Sequence, residues 1–359
     1  MKKIVGILAG AAVLASSVFA LDASAAIKFN GSLFDLSFAD GAKPTAIKLE
    51  EPKAQKGHGQ TGIDLNVSTD LAGATLIIGN GYGGNNNISY QGYKLWVKPA
   101  DAVKVNFGML DYCLNKESID YAGCINGTGS EGIAADITVN ALTINLILNP
   151  GFNNPWFDGS VIGNTAVMAK YAADFGTIGV AFIGEPQKAV AAKAASFKFD
   201  EATGTIKAVP AVAAAEGKSF AKNTISVGYS NNFDAVSMFA DVAMVLTTEL
   251  TNIKADAFAK GSVDAFSYAA YADFDFDVKA SKVDAIDAKA KLSYALDACT
   301  PYLYVKGDNI QKDVEITVKP GVNFNIGAAG VEIAAEVKIP TAEGAKGSLS
   351  VPFGVNLGF

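Results

Sequence analysis

The C-terminal segment, residues 347–359, restricts the fold more than any other part of the chain. From Leu349 onward its odd positions, Leu349, Val351, Phe353, Val355, Leu357 and Phe359, are all apolar. The even positions, Ser348, Ser350, Pro352, Gly354, Asn356 and Gly358, are small or polar. Successive side chains of a strand point to opposite faces, so the pattern predicts a strand with one wholly apolar face. It is longer than the roughly 5–6 residues of an ordinary soluble strand. It slightly exceeds the roughly 9–11 residues with which a tilted strand crosses a bilayer.

The other end predicts export. Lys2 and Lys3 precede an apolar run from Ile4 to Ala15, followed by two small-residue cleavage motifs, Val18-Phe19-Ala20 and Ala23-Ser24-Ala25. This is the plan of a secretory signal peptide cut after Ala20 or Ala25, and the apolar run is too short for the roughly 20-residue helix that spans a membrane. Beyond it no window approaches 18 uncharged apolar residues, although 50% of the chain is hydrophobic and its mean hydropathy is +0.24. A barrel that places apolar residues at every second position reconciles the two facts.

The middle of the chain repeats the theme. Ile63, Leu65 and Val67 form one apolar face, as do Val103, Val105, Phe107 and Met109, then Met238, Ala240, Val242 and Met244. Short turns alternate with longer polar stretches. Trp96, near the end of a strand, is a candidate for an aromatic girdle at the membrane interface. At Asn140-Ala141 the apolar parity flips, which means a turn or a bulge.

With the leader, the aromatic last strand and the repetitive middle together, the chain resembles the Gram-negative outer-membrane β-barrel proteins of the porin-like type. The resemblance implies an all-β fold: one transmembrane, antiparallel, up-and-down β-barrel over residues 26–359, with short periplasmic turns and long extracellular loops. It implies residence in the cell outer membrane among its lipid, with Phe359 as the signal read by the barrel-assembly machinery. The family contains both monomers and homotrimers. Both termini of such a barrel are periplasmic, so the strand number is even. The segments count to 17. A further turn at Ala272-Asp273-Phe274-Asp275, which echoes Ala173-Asp174-Phe175, gives 18, and merging across Asn140 gives 16. The expectation is 16 to 18 strands.

Charge excludes one class of partner. The formal net charge is −7; it becomes −9 when Lys2 and Lys3 leave with a leader cut after Ala20, and −8 when the cut after Ala25 also removes Asp22. An acidic chain offers no phosphate-neutralising surface for nucleic acid. All 29 basic residues are lysines, so a constriction built on arginine, as in the best-known general porins, is excluded.

Motifs for catalysis and cofactors fail on context. Residues 79–84 match G-x-G-x-x-G, but another strand follows where a dinucleotide site needs a helix. His58 is the single histidine; it stands in a Lys/Gly/Gln loop without a recognisable partner, so neither enzyme activity nor a multi-histidine metal site is expected. Asp273, Asp275 and Asp277 carry the spacing of a calcium loop, yet Val278 stands where an EF-hand requires Gly. They alternate with Phe274 and Phe276, which reads as a strand with its acids turned from lipid, or as an acidic rim in loop solvent. Lumen-facing, they would draw cations. Asp287, Lys289 and Lys291 share the polar face of the next strand and complete the candidate pore lining.

Cys113 and Cys124 lie in one Gly/Asn/Ser-rich stretch of an exported chain, which favours a loop disulfide over two free thiols. Cys299, in a short turn, has no evident partner. The function expected is passive diffusion of small hydrophilic solutes or ions through a wet lumen, with cation preference and no cofactor. Residues 184–222 are the candidate constriction loop. The alternative is a surface structural protein or adhesin that uses the barrel to display its loops.

Overall fold

A computed structural model describes residues 22–39, 41–49, 62–80, 88–120, 123–149, 157–158, 161–162, 164–187, 192, 194–200, 205–211, 213–214 and 217–358. Residues 1–21, which hold most of the expected leader, and His58 and Phe359 lie outside the described residues. The fold is an all-β closed barrel of eighteen antiparallel strands. Its first half comprises β1 (Asp22–Ser37), β2 (Thr45–Leu49, continued by Gly62–Ser68), β3 (Ala72–Asn80), β4 (Ile88–Ala100), β5 (Val103–Tyr112), β6 (Thr128–Val139), β7 (Leu142–Asn149), β8 (Asn164–Ala173) and β9 (Gly176–Gln187). The second half comprises β10 (Lys218–Phe233), β11 (Val236–Leu246), β12 (Leu250–Val263), β13 (Phe266–Asp277), β14 (Lys282–Tyr294), β15 (Cys299–Asp308), β16 (Glu315–Ile326), β17 (Ala329–Ala334 and Glu336–Pro340) and β18 (Ser348–Gly358). Each strand pairs with its chain neighbours, and β18 closes the wall on β1, with Ile27 opposite Leu357 and Phe29 opposite Val355. Closure leaves the eighteen-stranded wall without an open edge among the described residues, as a strand wall facing lipid would require.

The two ends of the barrel differ. At one end, which also holds both described termini, the connections include the two-residue turns Asn140-Ala141, Asp234-Ala235 and Asp264-Ala265. The first residue of each has positive φ, 52°, 43° and 51°. Asn and Asp tolerate this left-handed conformation, and such turns match the twist of antiparallel strands. The parity flip at Asn140 is therefore a turn. At the other end lie the longer connections, among them residues 113–127 and 188–217.

The outer face is apolar because every second residue is. Val180, Val227 and Val242 stand side by side in register on three strands, each about half exposed. Packing between side chains concentrates instead inside the wall, under residues 113–127. One cluster gathers Leu110, Leu114, Ile147, Met168 and Ile183, a second Phe239, Phe258 and Tyr271.

Three expectations are corrected. The eighteenth strand does not come from a turn at Ala272-Asp273-Phe274-Asp275, which runs through β13 without a break; the turn missed is Asp264-Ala265. Trp96 is not on the lipid face. Leu95 and Val97, both more than 40% exposed, take that side, and Trp96 points inward beside Gly73, Asn106 and the ammonium of Lys104. Cys299 begins β15 rather than lying in the turn before it.

Candidate pore constriction

Residues 113–127, between β5 and β6, turn back into the barrel. A Cys113–Cys124 disulfide closes the loop, with the Cα atoms 6.4 Å apart. Inside it the fully buried Glu117 carboxylate accepts backbone N–H groups from Gly123 at 3.0 Å, Asp120 at 3.3 Å and Ile119. A carboxylate can accept several such donors at once, so this one side chain organises the loop around itself.

Lys289 and Asp241 both hold the loop to the wall of β11–β14, and Tyr304 Oη of β15 donates to Asp120 at 3.2 Å. The Lys289 ammonium lies 2.8 Å from Glu117 Oε1, also contacts Asp120, and sits 5.1 Å from the centroid of the Tyr271 ring. The Lys289 and Glu117 side chains are 5% and 0% exposed, so this ion pair is out of water. One row away, Asn115 donates to Asp241 Oδ1 at 2.6 Å and Asn126 donates to Asp241 Oδ2 at 3.2 Å. The wall makes room with glycine. A Cβ at Gly228 would lie 2.0 Å from Asp241 Oδ1, and one at Gly179 would lie 2.6 Å from Leu114 Cδ1.

Strand register sorts the inner face into bands. Asp241, Asp256, Asp273 and Asp287 stand directly opposite one another across β11–β14. Neighbouring strands are about 4.8 Å apart, and like charges facing each other at that spacing repel. Donors relieve the row: the two loop amides at Asp241, Tyr271 Oη at Asp256 (3.1 Å) and the Asn309 N–H at Asp287 (2.7 Å). Two residues toward the turn end, the next row reads Phe239, Phe258, Tyr271, Lys289 and Lys306. The row after that reads Lys260, Ala269, Lys291, Tyr304 and Lys319.

The residues singled out from the sequence thus take different places. Asp273 and Asp287 are in the acidic row. Asp275, one pair of residues nearer the loop end, binds Lys254 at 2.8 Å and accepts from Asn252 at 2.9 Å. Asp277, at the end of β13, accepts the Ala280 N–H at 2.8 Å. Lys289 holds the loop, and Lys291 lies 4.7 Å from the centroid of the Tyr302 ring. Asn115, Glu117, Asp120, Asn126, Asp241 and Asp256 were not singled out. Asp241 could have been: it is the one ionisable residue of β11, where its neighbours of the same parity are Phe239 and Ala243.

The stretch 184–222, expected to constrict the lumen, divides differently. Its ends are wall, with Glu185 opposite Lys222. Between them Ser196–Asp200 and Thr205–Val209 form a small hairpin, a separate two-stranded sheet with Phe197 79% exposed. The loop that reaches across to the inner wall is 113–127.

Toward the turn end of β5–β7 the inner face carries a polar network centred on Asp136. Asp136 accepts from Asn106 at 2.7 Å, Asn145 at 2.8 Å and Tyr112 Oη at 2.9 Å. Among the described residues no group of His, Cys, Asp and Glu is arranged to hold a metal ion.

A closed eighteen-stranded wall, apolar outside and narrowed by an inward loop, defines the class of fold: a porin-like β-barrel. No protein-family model matches the chain, and no curated protein does. Solved structures match over almost its whole length. OccK2 (OpdF) of Pseudomonas aeruginosa aligns with a TM-score of 0.56 at 6% identity, covering 94% of this chain and 97% of that one. OccK3 (OpdO) of the same organism gives 0.56 at 9% identity, covering 94% and 96%. The outer membrane protein opdK, also from P. aeruginosa, gives 0.55 at 8% identity, covering 94% and 98%. At such identities the similarity is one of fold.

Proposed function

We propose that this protein is an outer-membrane channel for passive diffusion of small hydrophilic solutes or ions, with a preference for cations. The observation that carries the reading is the pinned loop within a polar, closed wall: barrels of about 16–18 strands are wide enough for water, and an inward loop sets the width. Purified protein added to planar bilayers is expected to produce discrete conductance steps in KCl. Folded protein without steps would overturn the reading.

Cation preference is supported by the acids on the polar face of β13, because fixed charge along a narrow aqueous path enriches the opposite ion. In a KCl gradient the reversal potential is expected to lie toward that of K⁺. Exchanging Asp273, Asp275 and Asp277 together for asparagine should lower the K⁺ over Cl⁻ permeability ratio by roughly twofold or more. An unchanged ratio would remove these carboxylates from the selectivity of the pore.

We also propose that the leader is cut after Ala20. Asp22, Ala23, Ser24 and Ala25 pair with Ser68, Val67, Asn66 and Leu65 of β2. Cleavage after Ala25 would strip four residues from that ladder. The mature chain is expected to begin at Leu21, and an intact mass beginning at Ala26 would refute this.

A further inference from the structure

The constriction loop leaves part of the wall bare. Its contacts run along β7–β15: Leu114 packs with Ile147, Met168 and Ile183, Asn115 and Asn126 meet Asp241, Glu117 meets Lys289, and Tyr304 Oη meets Asp120. β16–β18 and β1 carry none of these contacts, so they bound the passage left beside the loop. Toward the turn end of these four strands lies a recess of about 380 Å³ that carries four asparagines, Asn30, Asn323, Asn325 and Asn356. Register puts Asn30, Gly354, Glu332 and Asn323 in one row, and Lys28, Asn356, Gly330 and Asn325 in the next. Alternation turns both rows inward, away from the side taken by Val331 and Val355. The glycines keep the floor low: a Cβ at Gly330 would meet nothing nearer than the Asn356 carbonyl oxygen, at 3.9 Å.

Both charges in the recess are compensated. Lys28 binds Asp64 of β2 at 3.0 Å, and Glu332 binds Lys319 at 2.9 Å while accepting from Tyr302 Oη. Asn323, Asn325 and Asn356, by contrast, make no side-chain hydrogen bond among the described residues. Each carboxamide offers two N–H donors and an acceptor oxygen. A hydroxyl also both donates and accepts, so a solute rich in hydroxyls can match several carboxamides at once, whereas an ion gains little from a recess whose charges are balanced. Tyr302, beside Glu332, offers no stacking face: it is 6% exposed, and the Lys291 ammonium lies 4.7 Å from its ring centroid. Binding therefore rests on hydrogen bonds made in competition with water, each of modest net strength, which lets the solute leave again as passage through a pore requires. The volume falls in the range of roughly 300–1,000 Å³ typical of small-molecule sites.

We propose that this recess is a subsite for a neutral polyhydroxylated solute, a sugar or polyol, in transit along the wall that the loop leaves bare. The proposal rests on the channel reading and deepens it by naming a solute class; the cation preference acts on ions and leaves a neutral solute unaffected. The test uses the full mature protein in liposomes. Entry of radiolabelled mannitol is measured against its concentration, with triethylene glycol, a neutral ether of similar size and few hydroxyls, as the control. Wild-type mannitol entry is expected to saturate at millimolar concentration while glycol entry rises linearly. Asn323→Leu, Asn325→Leu and Asn356→Leu combined keep the side-chain size and should raise the half-saturation concentration roughly tenfold, as loss of two or three hydrogen bonds does. KCl conductance of the variant in planar bilayers should stay within about twofold of wild type, which also shows that it has folded. Should the triple variant not fold, the wild-type comparison of the two solutes decides alone. Linear mannitol entry in wild type, equal saturation by both solutes, or an unchanged half-saturation in a variant that conducts KCl overturns the subsite and leaves the channel standing. A wild-type barrel that conducts no KCl overturns both.

Discussion

Replacing Lys289 by methionine is expected to destabilise the folded barrel by about 3–5 kcal/mol, because it leaves a buried carboxylate without its counter-charge. Glu117 is fully buried, and Lys289 is its cation on the wall. The backbone N–H groups that also bind Glu117 belong to the loop itself, so they do not hold the loop to the barrel. Urea unfolding of the detergent-folded protein, followed by Trp96 and Trp156 fluorescence, measures the loss. Lys289→Met combined with Glu117→Leu should recover most of it, since the unpaired charge is then gone. The single variant should also widen or destabilise the conductance step, because the loop would then be held without an ion pair, by neutral donors such as Asn115 and Asn126 on Asp241 and Tyr304 Oη on Asp120. A single variant within about 1 kcal/mol of wild type, with an unchanged step, would mean that the ion pair does not hold the constriction.

The second large effect is expected at the disulfide. Cys113 and Cys124 are separated by 11 positions, and a cross-link over a loop of this size removes about 3 kcal/mol worth of freedom from the unfolded chain. Exchanging both for serine should lower barrel stability by about 2–4 kcal/mol in the same urea assay. Reductant should shift the wild type toward the variant and leave the variant unmoved. Open-channel current should become noisier on reduction, since the pinned residues 115, 117 and 126 would be held by polar contacts alone. If oxidised and reduced protein unfold at the same urea concentration and conduct with equal noise, the bond plays no part in holding the loop.

The wall was legible in the sequence because a barrel strand is a local object. Alternation in β11 and β18 can be read without knowing what either strand pairs with. The false turn at Ala272-Asp273-Phe274-Asp275 shows where local reading fails: a strand alternating Phe outward and Asp inward has the same residues as a turn. Trp96 failed for a related reason, since an aromatic near a strand end marks a lipid interface only when its parity is apolar, and its neighbours Leu95 and Val97 had taken that parity. The constriction was not legible. Its anchors join Asn115 to Asp241 and Glu117 to Lys289, 126 and 172 positions apart. A polar loop with two cysteines does not announce which wall it meets, and Glu117 looks like any surface acid until burial is known. The long Ala/Lys-rich stretch drew attention by length, whereas the loop that docks is the one with matched donors and glycine clearance at Gly179 and Gly228.

Those long sequence separations also set an order of events. β5 and β6 enter the wall well before the strands that carry Asp241 and Lys289 when the barrel is laid down in chain order, and well after them when it is laid down from the C-terminus. In either direction the loop has no complete seat until both groups of strands are in place and the wall has curved enough to bring them face to face. A wall that lacks either group of strands therefore leaves the loop unseated, and the lumen can narrow only late in assembly.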